Sequence, residues 1–85
     1  MQKFEFTVTD ENGIHARPAG LLVKEVQKLS SSVTVACREK SADAKKLFAL
    51  MALGAKCGDT LTVTVEGINE QADAAAVYRF MQGKL

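Results

Sequence analysis

A chain of 85 residues supports one domain that buries about 60% of its surface, enough for a two-layer core and too little to enclose a large substrate cleft. Eleven basic against ten acidic residues leave a formal charge of +1, without the basic excess of a duplex-binding protein, so nucleic acid is not an expected partner. A hydrophobic content of 47% with 25% charged residues is that of a globular chain rather than a disordered one.

Residues 2–9 alternate: Phe4, Phe6 and Val8 share one face and Lys3, Glu5 and Thr7 the other, which predicts a half-buried strand. Asp10-Glu11-Asn12-Gly13 supplies turn chemistry. From 16 to 29, Ala19, Leu22, Val23, Val26 and Leu29 recur at helical spacing, and Pro18 falls in the first turn, where its missing N–H costs nothing. Ser30–Ser32 end that helix. Val33, Val35 and Cys37 alternate as a second strand, and Lys40–Asp43 reads as a weak third.

Residues 45–53 are apolar on too many sides for a helix with a single buried stripe, and Gly54 is placed to end it as the C′ residue. Leu61, Val63 and Val65 mark a fourth strand. Asn69 is the expected N-cap of a last helix running to about Gln82, with Glu70 and Asp73 in its first turn and Ala74, Val77, Tyr78 and Met81 as its inner stripe. The order is β-α-β-β-α-β-α. Strands with one apolar face suit an antiparallel sheet open to water on one side and covered by helices on the other, an α+β fold.

No apolar run approaches the length of a membrane span, and the N-terminal stretch alternates instead of forming a signal peptide's apolar core, so a cytoplasmic location without membrane insertion is expected. Cys37 and Cys57 fit no metal-ligand spacing and read as reduced thiols, Cys37 as a small core residue. With a single histidine beside them, a structural metal site has no ligand set.

That histidine, His15, stands where the Asn12-Gly13-Ile14 turn meets the first helix, and Arg17 and Pro18 follow at once. A helix start offers unpaired N–H groups and the positive end of the macrodipole, which favour an anion. The Arg17 guanidinium is a fork matched to phosphate oxygens, and the imidazole is a nucleophile near neutral pH. Together these groups are what a transient phosphohistidine requires. Taken singly, a histidine near an arginine is an ordinary turn residue.

The run Gly13-Ile14-His15-Ala16-Arg17-Pro18-Ala19 resembles the active-site motif of the HPr family, the histidine-containing phosphocarriers of the bacterial phosphoenolpyruvate:sugar phosphotransferase system. The stretch from Lys40 to Leu50 is similar to the family's second-helix region, and length and element order agree throughout. The resemblance implies an open-faced β-sandwich, with four antiparallel strands and three helices on one face. It further implies that His15 accepts a phosphoryl group on Nδ1 from phosphorylated enzyme I and passes it to the IIA domain of a sugar permease. Arg17 would pair with the phosphoryl oxygens and the backbone around Ala16, Arg17 and Pro18 would hold the rest. No cofactor is implied, and the chain would be a stoichiometric carrier rather than an enzyme.

Leu47, Phe48, Leu50, Met51 and Leu53 cannot all face one sheet from a short helix. Leu50 and Leu53 are assigned inward, and Leu47, Phe48 and Met51 outward as a docking patch beside the anion site. Arg17, Lys24, Lys45 and Lys46 form its basic rim, suited to acidic partners. Gly20 leaves a flat spot near His15, at the cost of about 1 kcal/mol of helix propensity. A carrier that shows this face to successive partners is expected to be a monomer.

Two positions depart from the family pattern: Gly20, where the family more often has Ala or Thr, and above all position 46. Many members carry at 46 a serine that a dedicated kinase phosphorylates; this chain has Lys46, which can neither take phosphate nor cap the second helix. Asp43 is a substitute cap if that helix starts earlier. Two other functions fit the residues: a regulatory paralogue of a nitrogen-related branch, still using His15, and an interaction module acting through Leu47, Phe48 and Met51. The second has no physical need for His15 or Arg17. A hydrolase or kinase has no Gly-rich loop or carboxylate constellation to work with.

Overall fold

Alternation along each strand sorts side chains to two faces, and the register shows how those faces align. The computed structural model describes residues 1–85 as β1 (Gln2–Thr7), α1 (Ala16–Gln27), β2 (Ser32–Cys37), β3 (Lys40–Asp43), α2 (Leu47–Met51), β4 (Thr60–Glu66) and α3 (Glu70–Lys84). The strands form one antiparallel sheet in the order β1-β4-β2-β3. One row across it, Phe4–Val63–Val35–Ala42, faces the helices; the next, Lys3–Thr64–Thr34–Asp43, faces away from them. A slip of one residue would exchange the rows, so burial itself fixes the register. This is the expected open-faced β-sandwich of four antiparallel strands and three helices.

The core lies between the layers. Val33, Val35, Leu61, Val63 and Val65 meet Leu22, Val26, Leu50 and Met81 there, all nearly inaccessible to solvent. Burying each such side chain is worth about 1.5–3 kcal/mol, which is why short elements hold together. Cys37 is buried with them, and Cys57 is exposed and unpaired. Leu50 and Leu53 point inward as assigned.

Several details differ from the sequence expectations. Helix α1 ends at Gln27 because the Lys28 and Leu29 N–H groups turn to the carbonyls of Glu25 and Val26, three residues back, at 3.2 and 3.0 Å. That tightens the last turn, and Leu29 still packs half-buried against the core. Helix α2 has only five residues, and Gly54 follows one residue later than a C′ position, at φ +65°. Asn69 is at the N-cap of α3 but its side chain makes no capping bond. Glu70 instead closes the turn ahead of the helix, its Oε1 accepting the Gly67 N–H at 3.2 Å.

Tyr78 is not part of the buried stripe. At 40% exposure it stands at the edge, its ring meeting Phe4 edge-on with centroids 5.1 Å apart. Asp73 is buried in its place, satisfied by Ser31. Asp43 does not cap α2, which starts no earlier than Leu47; its Oδ1 closes the preceding turn on the Lys45 N–H at 2.9 Å.

Candidate functional site

The site begins with the turn that delivers His15. Asp10 Oδ1 accepts the Asn12 N–H and the Asp10 carbonyl accepts the Gly13 N–H, both at 2.9 Å. Gly13 then passes through the left-handed region at φ +68°, with the backbone of Ala55 and Lys56 packed where a Cβ would stand. Any other residue would be both strained and in collision there. The Ile14 N–H bonds the Ala55 carbonyl at 3.0 Å, clamping the turn to the loop before β4, and the Ile14 side chain is buried.

His15 occupies the N-cap of α1 in an extended conformation, φ −121° and ψ 179°, the backbone shape of a helix entry. Its carbonyl accepts the Ala19 N–H at 3.0 Å. Its ring makes no capping bond and is 42% exposed, so it is free at the surface. The Ala16 and Arg17 N–H groups find no acceptor in the chain, and Pro18 has none to offer. The ring therefore stands at the positive end of a 12-residue helix, where an anion is favoured by about 0.3–1 kcal/mol at the surface.

Arg17 is exposed and lines the same open cleft as His15, Pro18, Leu21 and two groups from elsewhere in the chain. Those are Asp10, whose Oδ2 lies 3.6 Å from His15 Nε2, and Lys84 at the end of α3. Neither was assigned to the site from sequence. Asp10 carried a turn signal and nothing more, and no pattern places Lys84 near a residue at position 15. Its placement follows from the end of α3 lying against the segment after β1, where the Leu85 carbonyl accepts the Thr9 and Asp10 N–H groups at 2.8 and 2.9 Å.

Of the assigned docking residues, Phe48 is 83% exposed, with its ring in water. Leu47 and Met51 depart from the outward assignment: they are half-buried, packed against the core on their inner sides. Gly20 sits half-exposed in α1 with open space where a Cβ would project. Lys24 and Lys46 are exposed. Lys46 is the N-cap of α2 and makes no side-chain capping bond. Lys45 is less free than the others. Its Nζ donates to the Leu29 carbonyl at 3.2 Å, and its own carbonyl accepts Gln27 Nε2 at 3.0 Å, so it ties α2 to the end of α1.

No helix is long and apolar enough to cross a membrane. Comparison with known proteins agrees with the geometry. Residues 2–82 match the family model described as the phosphorylation site of the HPr component of the phosphotransferase system. The chain is 36% identical over 81 residues to the phosphocarrier protein HPr of Mycoplasma capricolum, covering 95% of this chain and 91% of that one. It is 42% identical over 67 residues to the HPr of Vibrio cholerae, covering 79% of each. The solved structure of a Mycoplasma histidine-containing phosphocarrier protein superposes with a TM-score of 0.93 at 34% identity, over 96% of this chain and 93% of that one. With the family model matched across nearly its whole length, the chain belongs to the HPr phosphocarrier family of the phosphotransferase system.

Proposed function

We propose that residues 1–85 act as a single phosphocarrier domain in which His15 takes a phosphoryl group on Nδ1 from phosphorylated enzyme I and gives it to the IIA domain of a sugar permease. The observation that carries this reading is the position of His15: an exposed ring at the start of α1, beside two unpaired N–H groups and in one cleft with Arg17. In-line transfer between two histidines asks a protein mainly for positioning and for charge stabilisation of the equatorial oxygens. The Ala16 and Arg17 amides and the Arg17 guanidinium supply the second. The chain itself needs no cofactor and returns to its starting state only by handing the group on, so it is a carrier rather than an enzyme. It works in the cytoplasm as a monomer.

Docking is assigned to α2 and the facing part of α1. Phe48 is the apolar anchor, Leu47 and Met51 its flanks, and Gly20 gives a partner backbone room to approach. Lys24, Lys46 and Arg17 supply positive charge that steers acidic partners, affecting encounter rate more than affinity. Lys45 contributes less, being engaged with the end of α1. With Lys46 in place of a regulatory serine, the carrier is not subject to serine phosphorylation there, and incubation with the HPr kinase and ATP should add no phosphate to a serine.

The test is turnover. Trace amounts of the protein should allow phosphoryl groups to pass from phosphoenolpyruvate through enzyme I to a many-fold excess of IIA, and the His15→Ala variant should not. Loss of the serine favours one variant of this reading, a carrier of a nitrogen-related branch. Loading by the enzyme I of that branch, in preference to the sugar enzyme I, would select it.

A further inference from the structure

Asp10 is not a loose surface carboxylate. Its N–H donates to the Leu85 carbonyl, its carbonyl accepts the Gly13 N–H, and its Oδ1 accepts the Asn12 N–H, each at 2.9 Å. Three bonds in three directions leave Oδ2 as the unengaged acceptor, 3.6 Å from His15 Nε2. The other ionisable side chains of the cleft, Arg17 and Lys84, are both cations.

We infer that Asp10 is a positioning residue for phosphoryl transfer: its Oδ2 holds the imidazole proton of His15 on Nε2 and keeps the Nδ1 lone pair free to attack phosphorus. This rests on the phosphocarrier reading above. A neutral imidazole carries one N–H and one lone pair, and which nitrogen holds the proton is set by the partner it faces. An ionised carboxylate only accepts, so the nitrogen facing it is the protonated one. The separation of 3.6 Å exceeds a resting hydrogen bond, and contacts of this kind tighten in the reacting complex.

The charge balance explains why a carboxylate serves better than a neutral acceptor. As the Nδ1–P bond forms, the donor's bond to phosphorus breaks and its electron pair stays with the donor. The Nε2 proton does not leave, so the His15 ring gains positive charge. Its attraction to Asp10 therefore grows along the reaction, and an interaction stronger in the transition state than in the ground state accelerates the step. On delivery the sequence reverses. The Nδ1–P pair returns to a ring that already holds its proton, and it departs as neutral imidazole.

The test is ¹⁵N NMR of the full chain at a pH where the ring is neutral, combined with loading kinetics. The wild-type ring should carry its proton on Nε2. In Asp10→Asn, Oδ1 keeps accepting the Asn12 N–H, which aims the new NH₂ group at Nε2. A donor there demands a lone pair, so the proton should move toward Nδ1 and loading by enzyme I and phosphoenolpyruvate should slow by about tenfold. Asp10→Ala removes the carboxylate without supplying a donor and should load faster than Asp10→Asn. Loosening of the turn would produce the opposite order. A wild-type ring protonated on Nδ1, or an Asp10→Asn protein with unchanged tautomer and loading rate, overturns the inference while leaving the carrier reading intact. A wild-type protein that takes no phosphate on His15 overturns the carrier reading itself.

Discussion

Ser31 and Asp73, 42 residues apart, close on each other inside the molecule: Asp73 Oδ2 accepts the Ser31 hydroxyl at 2.6 Å and its N–H at 3.3 Å. The pair pins the start of β2 to the first turn of α3, beneath Gly67, whose missing Cβ makes the space. Both side chains are buried, so each is the other's substitute for water. Ser31→Ala leaves a buried carboxylate short of its strongest donor, and Asp73→Ala leaves a buried hydroxyl and amide without an acceptor. Each should cost about 2 kcal/mol in chemical denaturation. The double variant should lose clearly less than the sum, because the two changes remove one shared interaction.

Gly13→Ala should be among the most damaging small changes in the protein. It places a Cβ in the backbone of Ala55 and Lys56 and strains a residue at φ +68°. A loss of about 2–3 kcal/mol is expected from denaturation midpoints, together with slower loading of His15. Gly20→Ala meets nothing within 4 Å and gains helix propensity, so it should stabilise by about 0.5–1 kcal/mol. If it also weakens partner binding, the open space at position 20 serves the encounter.

Phe48 and Leu50 separate docking from folding on one short helix. Phe48 is 83% exposed and Leu50 fully buried. Phe48→Ala should leave thermal stability within about 0.5 kcal/mol of wild type while raising the concentration of carrier that enzyme I needs for half-maximal rate. Leu50→Ala should cost about 2–5 kcal/mol through the cavity it leaves. Equal stability losses in the two variants would place Phe48 in the core and remove it from the docking surface.

Acid should expose a separate contact. The Glu70 carboxyl is held below its ordinary value of 4.5, first by the Met1 ammonium and then by the Gly67 N–H. A carboxyl with a lowered value in the folded state adds stability at pH above the unfolded value and loses it as pH falls through the folded one. Glu70→Gln should therefore be less stable than wild type at pH 6, and the deficit should shrink as pH falls below 4.5. The stability difference should open as pH rises through the lowered folded value and be complete above 4.5. A constant difference across that range would show that the carboxyl's charge plays no part.

The strands and the seat of His15 were legible because the patterns that mark them are local. Period-two alternation set Phe4, Phe6, Leu61, Val63 and Val65 on the face they occupy, and the Gly13 turn with Pro18 marked where α1 starts. What escaped was set at a distance. Asp73 reads as an ordinary first-turn acid until Ser31 is seen beside it, and Tyr78 falls on the helical stripe yet stands at the edge, its ring edge-on to those of Phe4 and Phe6. Lys84 reaches the site, beside Asp10, because the chain's end at Leu85 bonds the segment after β1. The outward assignment of α2 held for Phe48 alone. Five residues make little more than one turn, so Leu47 and Met51 share their surface with the core.

Every role assigned to the cleft and the docking surface depends on the His15 ring being the acceptor. Incubation with enzyme I and phosphoenolpyruvate, followed by intact-mass and peptide mapping, tests it directly. The wild-type protein should gain one phosphate, acid-labile and base-stable, located on the peptide containing His15 and missing in His15→Ala. Arg17→Ala should fold normally and load more slowly. An unmodified wild-type protein, or phosphate that persists in His15→Ala, would contradict that assignment.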